Sequence, residues 1–336
     1  MGKIYTFLAI VLFLSVSFIH PLNLSGNDNW VTIFSDECIY DNNNHSAFTS
    51  MEEWKGNLML AFREAAAHRA TPTDKGKIKV LEKKNGSWTL QQTLFIEGKD
   101  LRDPDLLKLD DRLFLYTYGH YSELTDTGWT VFKRIKHDAP FSPSIWKRRV
   151  YKDIAYGIGF SSGHWPLLFK STDCERWEML SEYKLGGNAS EADMVFIADT
   201  MYICIRIDSP IGSNSMWGKS IYPFTECKWK AMDISVASPE LIVHSDNTIL
   251  LAGREYDYRF QERKNARYVS LFALSKDGDV KGRCIIESQG GDQGYASFYR
   301  TKGNLYFMSY YAGLTNTAIR LLSFTVDETA LRNSLQ

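Results

Sequence analysis

The chain has 336 residues, 44% hydrophobic and 24% charged, with 39 Lys and Arg against 40 Asp and Glu for a formal net charge of -1. That length supports a full core in one large domain or two ordinary ones, and the neutral balance excludes the whole-chain basic character expected of a nucleic-acid binder. Aromatic residues reach 14%, a density that suits strands and flat sugar-binding surfaces as well as a plain β core.

Lys3 is followed by an apolar run from Ile4 to Ile19, then His20, Pro21 and a polar stretch. A charged start and an apolar stretch of this length read as a signal peptide, with retention as an anchor the alternative. We assign 1–26 to this leader, its end approximate, and 27–336 to one domain. No later apolar run approaches the length of a membrane span. The mature protein is therefore expected to be secreted or periplasmic, without stable membrane insertion after cleavage, and monomeric. Cys38, Cys174, Cys204, Cys227 and Cys284 stand singly with no CxxC. That placement argues against a disulfide framework and against a zinc site. Asn23, Asn44, Asn85 and Asn188 each open an N-x-S sequence.

From about Trp30 the chain reads as short strands: NLMLAFREA (57–65), KIKVLEKKNGSWTLQQTLFI (77–96), DRLFLYTYG (111–119), TMYICIRID (200–208), NTILLAGREY (247–256) and NLYFMSYYAG (304–313). Each alternates apolar with polar residues or is rich in β-branched and aromatic types, and turn residues precede it. Only the tail, Asp327 to Leu335, suggests a short helix.

A two-strand phrase recurs: a polar cluster, an apolar strand, a tight turn, and a second apolar strand ending in charge. Its copies start near residues 47, 100, 146, 190, 238 and 295, the third of them degenerate. A repeat of about 45 to 55 residues made only of strands is the mark of a β-propeller, one four-stranded blade per copy. The expected fold is therefore all-β, a single six-bladed propeller. In that geometry the ends of the inner strands converge on one pocket. Those ends carry His45, Arg63, Glu64, Arg102, Asp103, Asp105, Glu191, Asp193, Arg206, Glu240, Arg254, Glu255, Asp292 and Tyr295. About half of them are expected to cap turns or bridge blades.

These residues resemble the sialidase superfamily, including its exported bacterial members with BNR repeats. The S-x-D-x-G-x-T-W turn called an Asp box is matched loosely by Ser171, Asp173 and Trp177, with fragments at Ser275–Gly278 and Asn85–Trp88. In the family, a catalytic Glu is followed about fifteen residues later by an Arg, as Glu191 is by Arg206. Arg254 is similar to the family's arginine of the next blade, and Tyr295 in GGDQGYASF to its tyrosine nucleophile. The resemblance implies that Glu191 takes the proton of Tyr295, since a carboxylate nucleophile would repel an acidic sugar. It also implies that Arg206 and Arg254 grip a carboxylate, with help from Arg63 or Arg102.

The N-terminal third departs from that pattern. Where the family opens with an F/Y-R-I-P phrase, the chain reads His45-Ser-Ala-Phe-Thr; where it has A-D-A-R, the chain has Phe62-Arg63-Glu64-Ala65, followed by His68. Arg102 and Asp103, in DLRDPDL, are closer to the BNR-repeat relatives. Asp74, Asp103 and His68 are the candidate acid/base groups, and His45 is a candidate substrate ligand, because histidine titrates near neutrality. No HExxH, EF-hand or close His/Asp spacing appears, so neither a metal nor any cofactor is expected. A G-x-S-x-G elbow and a phosphate-binding glycine loop are also absent from the sequence. The leading expectation is an exported glycoside hydrolase acting on an acidic glycan: sialic acid or a related ulosonic or uronic acid. The alternatives are a lyase on uronic-acid polysaccharide and a non-catalytic carbohydrate-binding propeller.

Overall fold

A computed structural model describes residues 30–185, 188–208, 213–245, 247–256, 267–288 and 291–333. The expected leader lies outside the described residues. Six sheets, antiparallel except for the short Lys136–His137 strand at the outer edge of the third, form the six blades of a propeller, taken here as blades 1 to 6 in chain order. Their innermost strands are His45–Trp54, Asp105–Leu109, Ser144–Tyr151, Ala189–Ile197, Val236–Ser245 and Asp292–Arg300. Each is one limb of the recurring phrase, and the degenerate third copy builds a complete blade.

Local chemistry closes the hairpins. Lys55 and Gly56 (φ 49° and 82°), Asn85 and Gly86 (52° and 84°) and Lys152 and Asp153 (50° and 58°) are two-residue loops with both residues left-handed. That is the turn whose twist matches paired strands. The helix at Glu328–Asn333 falls within the expected tail, with the Asp327 carboxylate accepting the Thr329 and Ala330 amides at 2.8 and 3.1 Å.

Ring closure was not legible in the repeat. The first strand, Val31–Tyr40, is not part of blade 1; it pairs with Ala318–Val326 as the outer edge of blade 6. The first and last described strands therefore share one sheet, which leaves no open seam between first and last blades.

The buried apolar residues separate into six clusters; five span two neighbouring blades, and the one between blades 6 and 1 also takes in Trp146 of blade 3. Nearer the axis a second ring of contacts is polar. Ser50 Oγ accepts the Leu106 amide at 2.9 Å, Asp105 the Arg148 amide at 3.1 Å, and Asp193 the Leu241 amide at 2.6 Å. Glu240 accepts the Phe298 amide at 3.3 Å, and Ser297 Oγ the Met51 amide at 2.9 Å. Between blades 3 and 4 the link is Arg149 Nη2 to Asp193 at 2.6 Å. Asp105, Asp193 and Glu240 are thus the blade bridges expected among the inner-strand charges. Among the described residues no helix is long and apolar enough to cross a membrane.

Candidate active site

The inner strands do not run straight into the centre. In blades 1, 3, 4, 5 and 6 the pairing of the inner strand slips by a bulge, at Ala47/Ser50, Ile145/Arg148, Ala189/Ala192, Ala237/Glu240 and Gly294/Ser297. Such bulges re-aim side chains at the cost of local strain. Phe48, Ser238 and Tyr295 sit in these bulges with φ of 63°, 51° and 51°, and Asp103, just ahead of the blade 2 inner strand, has φ 50°. All four line one cavity at the axis, with Trp146, Lys147 and Tyr118.

Glu191 lies in the blade 4 bulge. Tyr295 Oη donates to its Oε1 at 2.6 Å, so two residues far apart in sequence form one couple. The other carboxylate oxygen accepts the Ser238 amide at 2.6 Å and lies 3.0 Å from Arg206 Nη1. Burial, then the charges of Glu191 and Asp103, hold the Tyr295 phenol well above its ordinary range, with Arg254 opposing. A phenol becomes a better nucleophile as its proton leaves, and Glu191 Oε1 is the acceptor of that hydrogen bond.

Asp103 is the second carboxyl of the cavity. Burial pushes it up to about 7; Arg102, 3.9 Å away, works against that and Glu191 adds to it. Its Oδ1 is buried without a hydrogen-bond partner. A carboxyl that is half protonated at neutral pH can give and take a proton within one cycle.

His45, His68, Arg102, Arg254 and Asp292 gather in a second cluster beside the first, with the Phe48 ring against both His68 and Tyr295 and the Arg254 guanidinium against the Tyr295 ring. Asp292 Oδ2 faces His45 Nε2 at 2.7 Å and His68 Nδ1 at 2.6 Å. Its Oδ1 accepts Arg254 Nη2 at 2.6 Å and the Tyr311 hydroxyl at 3.0 Å. Burial alone would raise this carboxyl, but the bonds from His45 and His68 and the Arg254 charge hold it far below the usual range. Arg102 donates to the His68 carbonyl at 2.8 Å and lies 3.2 Å from His68 Nε2, stacked over Phe48.

The donor atoms of His45, His68 and Asp292 lie within 4.8 Å of one another, the spacing of a metal-binding triad. Their hydrogen bonds favour another use. A guanidinium only donates, so His68 Nε2 facing Arg102 carries the lone pair and Nδ1 carries the proton turned to Asp292. Arg102 and Arg254 place positive charge on both sides of the triad, which opposes a cation there.

Arg63 is fully buried, its Nε on Asp100 at 2.9 Å and its Nη1 on the Ala67 carbonyl at 3.0 Å. Asp74 accepts the Ala66 amide at 2.6 Å and so shapes its own loop. Arg206, beyond its contact with Glu191, holds Asp208 at 2.6 Å. The Ser171–Trp177 turn closes on Asp173, which accepts the Glu175 and Arg176 amides, both at 2.8 Å, over a buried Trp177. Reading by sequence missed Phe48, Tyr118, Trp146, Lys147 and Tyr311. The first and third of these occupy the same place in their phrases as Tyr295 does, and that alignment is the signal that would have found them.

No protein-family profile matches this chain, and no curated protein matches it. Solved structures do. A protein of unknown function from Dyadobacter fermentans is similar over 89% of this chain and 100% of its own, with TM-score 0.73 and 17% identity. The intramolecular trans-sialidase of Ruminococcus gnavus covers 89% of this chain and 98% of its own, with TM-score 0.63 and 10% identity. The α-L-arabinofuranosidase Arb93A of Fusarium graminearum covers 89% and 98%, with TM-score 0.61 and 14% identity. The chain thus has the sialidase-like six-bladed propeller fold, as expected from its repeat. At these identities the likeness defines the fold.

Proposed function

We propose that the protein is an exported glycoside hydrolase in which Tyr295 attacks the anomeric carbon of a glycan, with Glu191 accepting the phenol proton. The observation that carries this reading is the 2.6 Å bond between Tyr295 Oη and Glu191 Oε1 in a cavity at the propeller axis. Asp103 serves as the acid that protonates the leaving oxygen, then as the base that activates water to release the sugar from Tyr295. Net charge is conserved through the first half-reaction: the phenol proton goes to Glu191 and the Asp103 proton to the leaving alcohol. Glycan-processing neighbours of the same fold, among them a trans-sialidase and an arabinofuranosidase, make this chemistry compatible with the scaffold.

The test is turnover of glycosides by the purified protein and by Tyr295→Phe. Release of reducing sugar, lost in the variant by at least about a thousandfold with binding retained, supports the assignment. An unsaturated, ultraviolet-absorbing product would replace hydrolysis by β-elimination. Binding without turnover would make the propeller a carbohydrate-binding module.

A further inference from the structure

We infer that the sugar seated against Tyr295 is uncharged, which rests on the glycosidase reading above but departs from the acidic sugar that the sequence suggested. The expectation of an acidic sugar depends on cations free to take a carboxylate. Among the described residues, the cations around the cavity come already committed, Arg148 to Asp105 at 3.1 Å among them. Arg254 bonds Asp292, Tyr311 and the Gln293 carbonyl; Arg206 bridges Glu191 and Asp208. Arg63 is spent on Asp100, and Lys147 lies 3.0 Å from Glu240. Arg102 is stacked on Phe48 and turned to His68.

Two further features repel an anion. Glu191 faces the phenol, and Asp103 adds a second carboxyl that ionises near neutrality. A carboxylate entering here would meet like charge, a cost that grows in a partly dehydrated cavity.

The rest of the cavity suits a neutral ring. Phe48, Trp146 and Tyr118 give it aromatic walls, the surface on which a sugar's C–H face stacks. Trp146, only 8% exposed, has its Nε1 buried with no partner, and Asp103 Oδ1 is likewise unpartnered. One donor and one acceptor, both dehydrated and unused, match a pair of hydroxyls.

The experiment measures turnover and binding separately. Turnover is measured for 4-nitrophenyl α-L-arabinofuranoside and the neutral hexopyranosides, against 4-nitrophenyl glucuronides and a 4-methylumbelliferyl sialoside. Binding of the same probes to Tyr295→Phe is measured by calorimetry at two salt concentrations. The inference expects at least one neutral probe to bind at least about tenfold more tightly than every acidic one, with an affinity that does not change with salt. That result without turnover in the wild type keeps the substrate class and removes the hydrolase. Asp208→Ala, which removes the acceptor of Arg206 Nε, is expected to improve acidic probes about tenfold and leave neutral ones unchanged. Acidic probes bound best by the unaltered site, or no neutral probe bound at all, would overturn the inference whatever the turnover.

Discussion

The Ser238 amide donates to Glu191 Oε2 at 2.6 Å from a residue held at φ 51°, immediately before Pro239. Both left-handed backbone and the following proline are unfavourable for serine, so the bulge that aims this amide is maintained by its surroundings. Its consequence is orientation. With Oε2 engaged by Ser238 and Arg206, Oε1 alone faces the Tyr295 hydroxyl.

Glu191→Gln preserves shape and removes the basic oxygen. The expected outcome is a loss of about 10²- to 10⁴-fold in kcat, with little change in substrate affinity or melting temperature. Steady-state kinetics with calorimetry check it; unchanged kcat would remove Glu191 from proton transfer.

Asp103, raised to about 7 by burial, must be protonated to act as acid. The rate is therefore expected to fall as pH rises through about 7. Asp103→Asn is expected to abolish that limb along with most of the activity. A basic limb that survives in the variant would assign the acid elsewhere.

The same group makes a stability prediction whose sign is fixed. Its folded value lies above the ordinary 3.8, so its contribution is complete at low pH and is lost as pH rises through about 7. Asp103→Asn escapes that loss. The melting temperature of the variant minus that of the wild type should grow from pH 4 to pH 8 (roughly the window set by those two values), and a flat difference would contradict it.

Arg148 and Asp105 are both buried, 3.1 Å apart, with the Arg148 guanidinium 3.8 Å above the Tyr116 ring. Asp105→Ala leaves that cation without its counter-charge and the Arg148 amide without its acceptor. A loss of about 3–5 kcal/mol is expected, read as a lower urea midpoint at unchanged slope. A loss below about 1 kcal/mol would mean that the polar ring does not lock the blades.

The fold was legible because a propeller repeats its local chemistry. Each blade needs the same alternating strands and tight turns, so six copies announce themselves even when one, Trp146 to Phe160, is degenerate. Ring closure was not legible, since Val31–Tyr40 finds its partner at the far end of the chain and carries no phrase of its own. Glu191, Arg206, Arg254 and Tyr295 stood out through their resemblance to sialidase motifs.

What those residues touch was decided by tertiary structure. Sequence placed Arg254 and Asp292 at strand ends; only folding set them 2.6 Å apart, so that an arginine expected to hold substrate holds Asp292. Sequence left Asp74, Asp103 and His68 level as acids. Burial raised Asp103, because a carboxyl's proton affinity depends on the water and charge around it, which no neighbour in the chain can specify. Amino-acid order determined the blades and which groups reach the axis. Their pairing across blades, through bulges that turn Phe48, Ser238 and Tyr295 into one cavity, belongs to the closed ring alone.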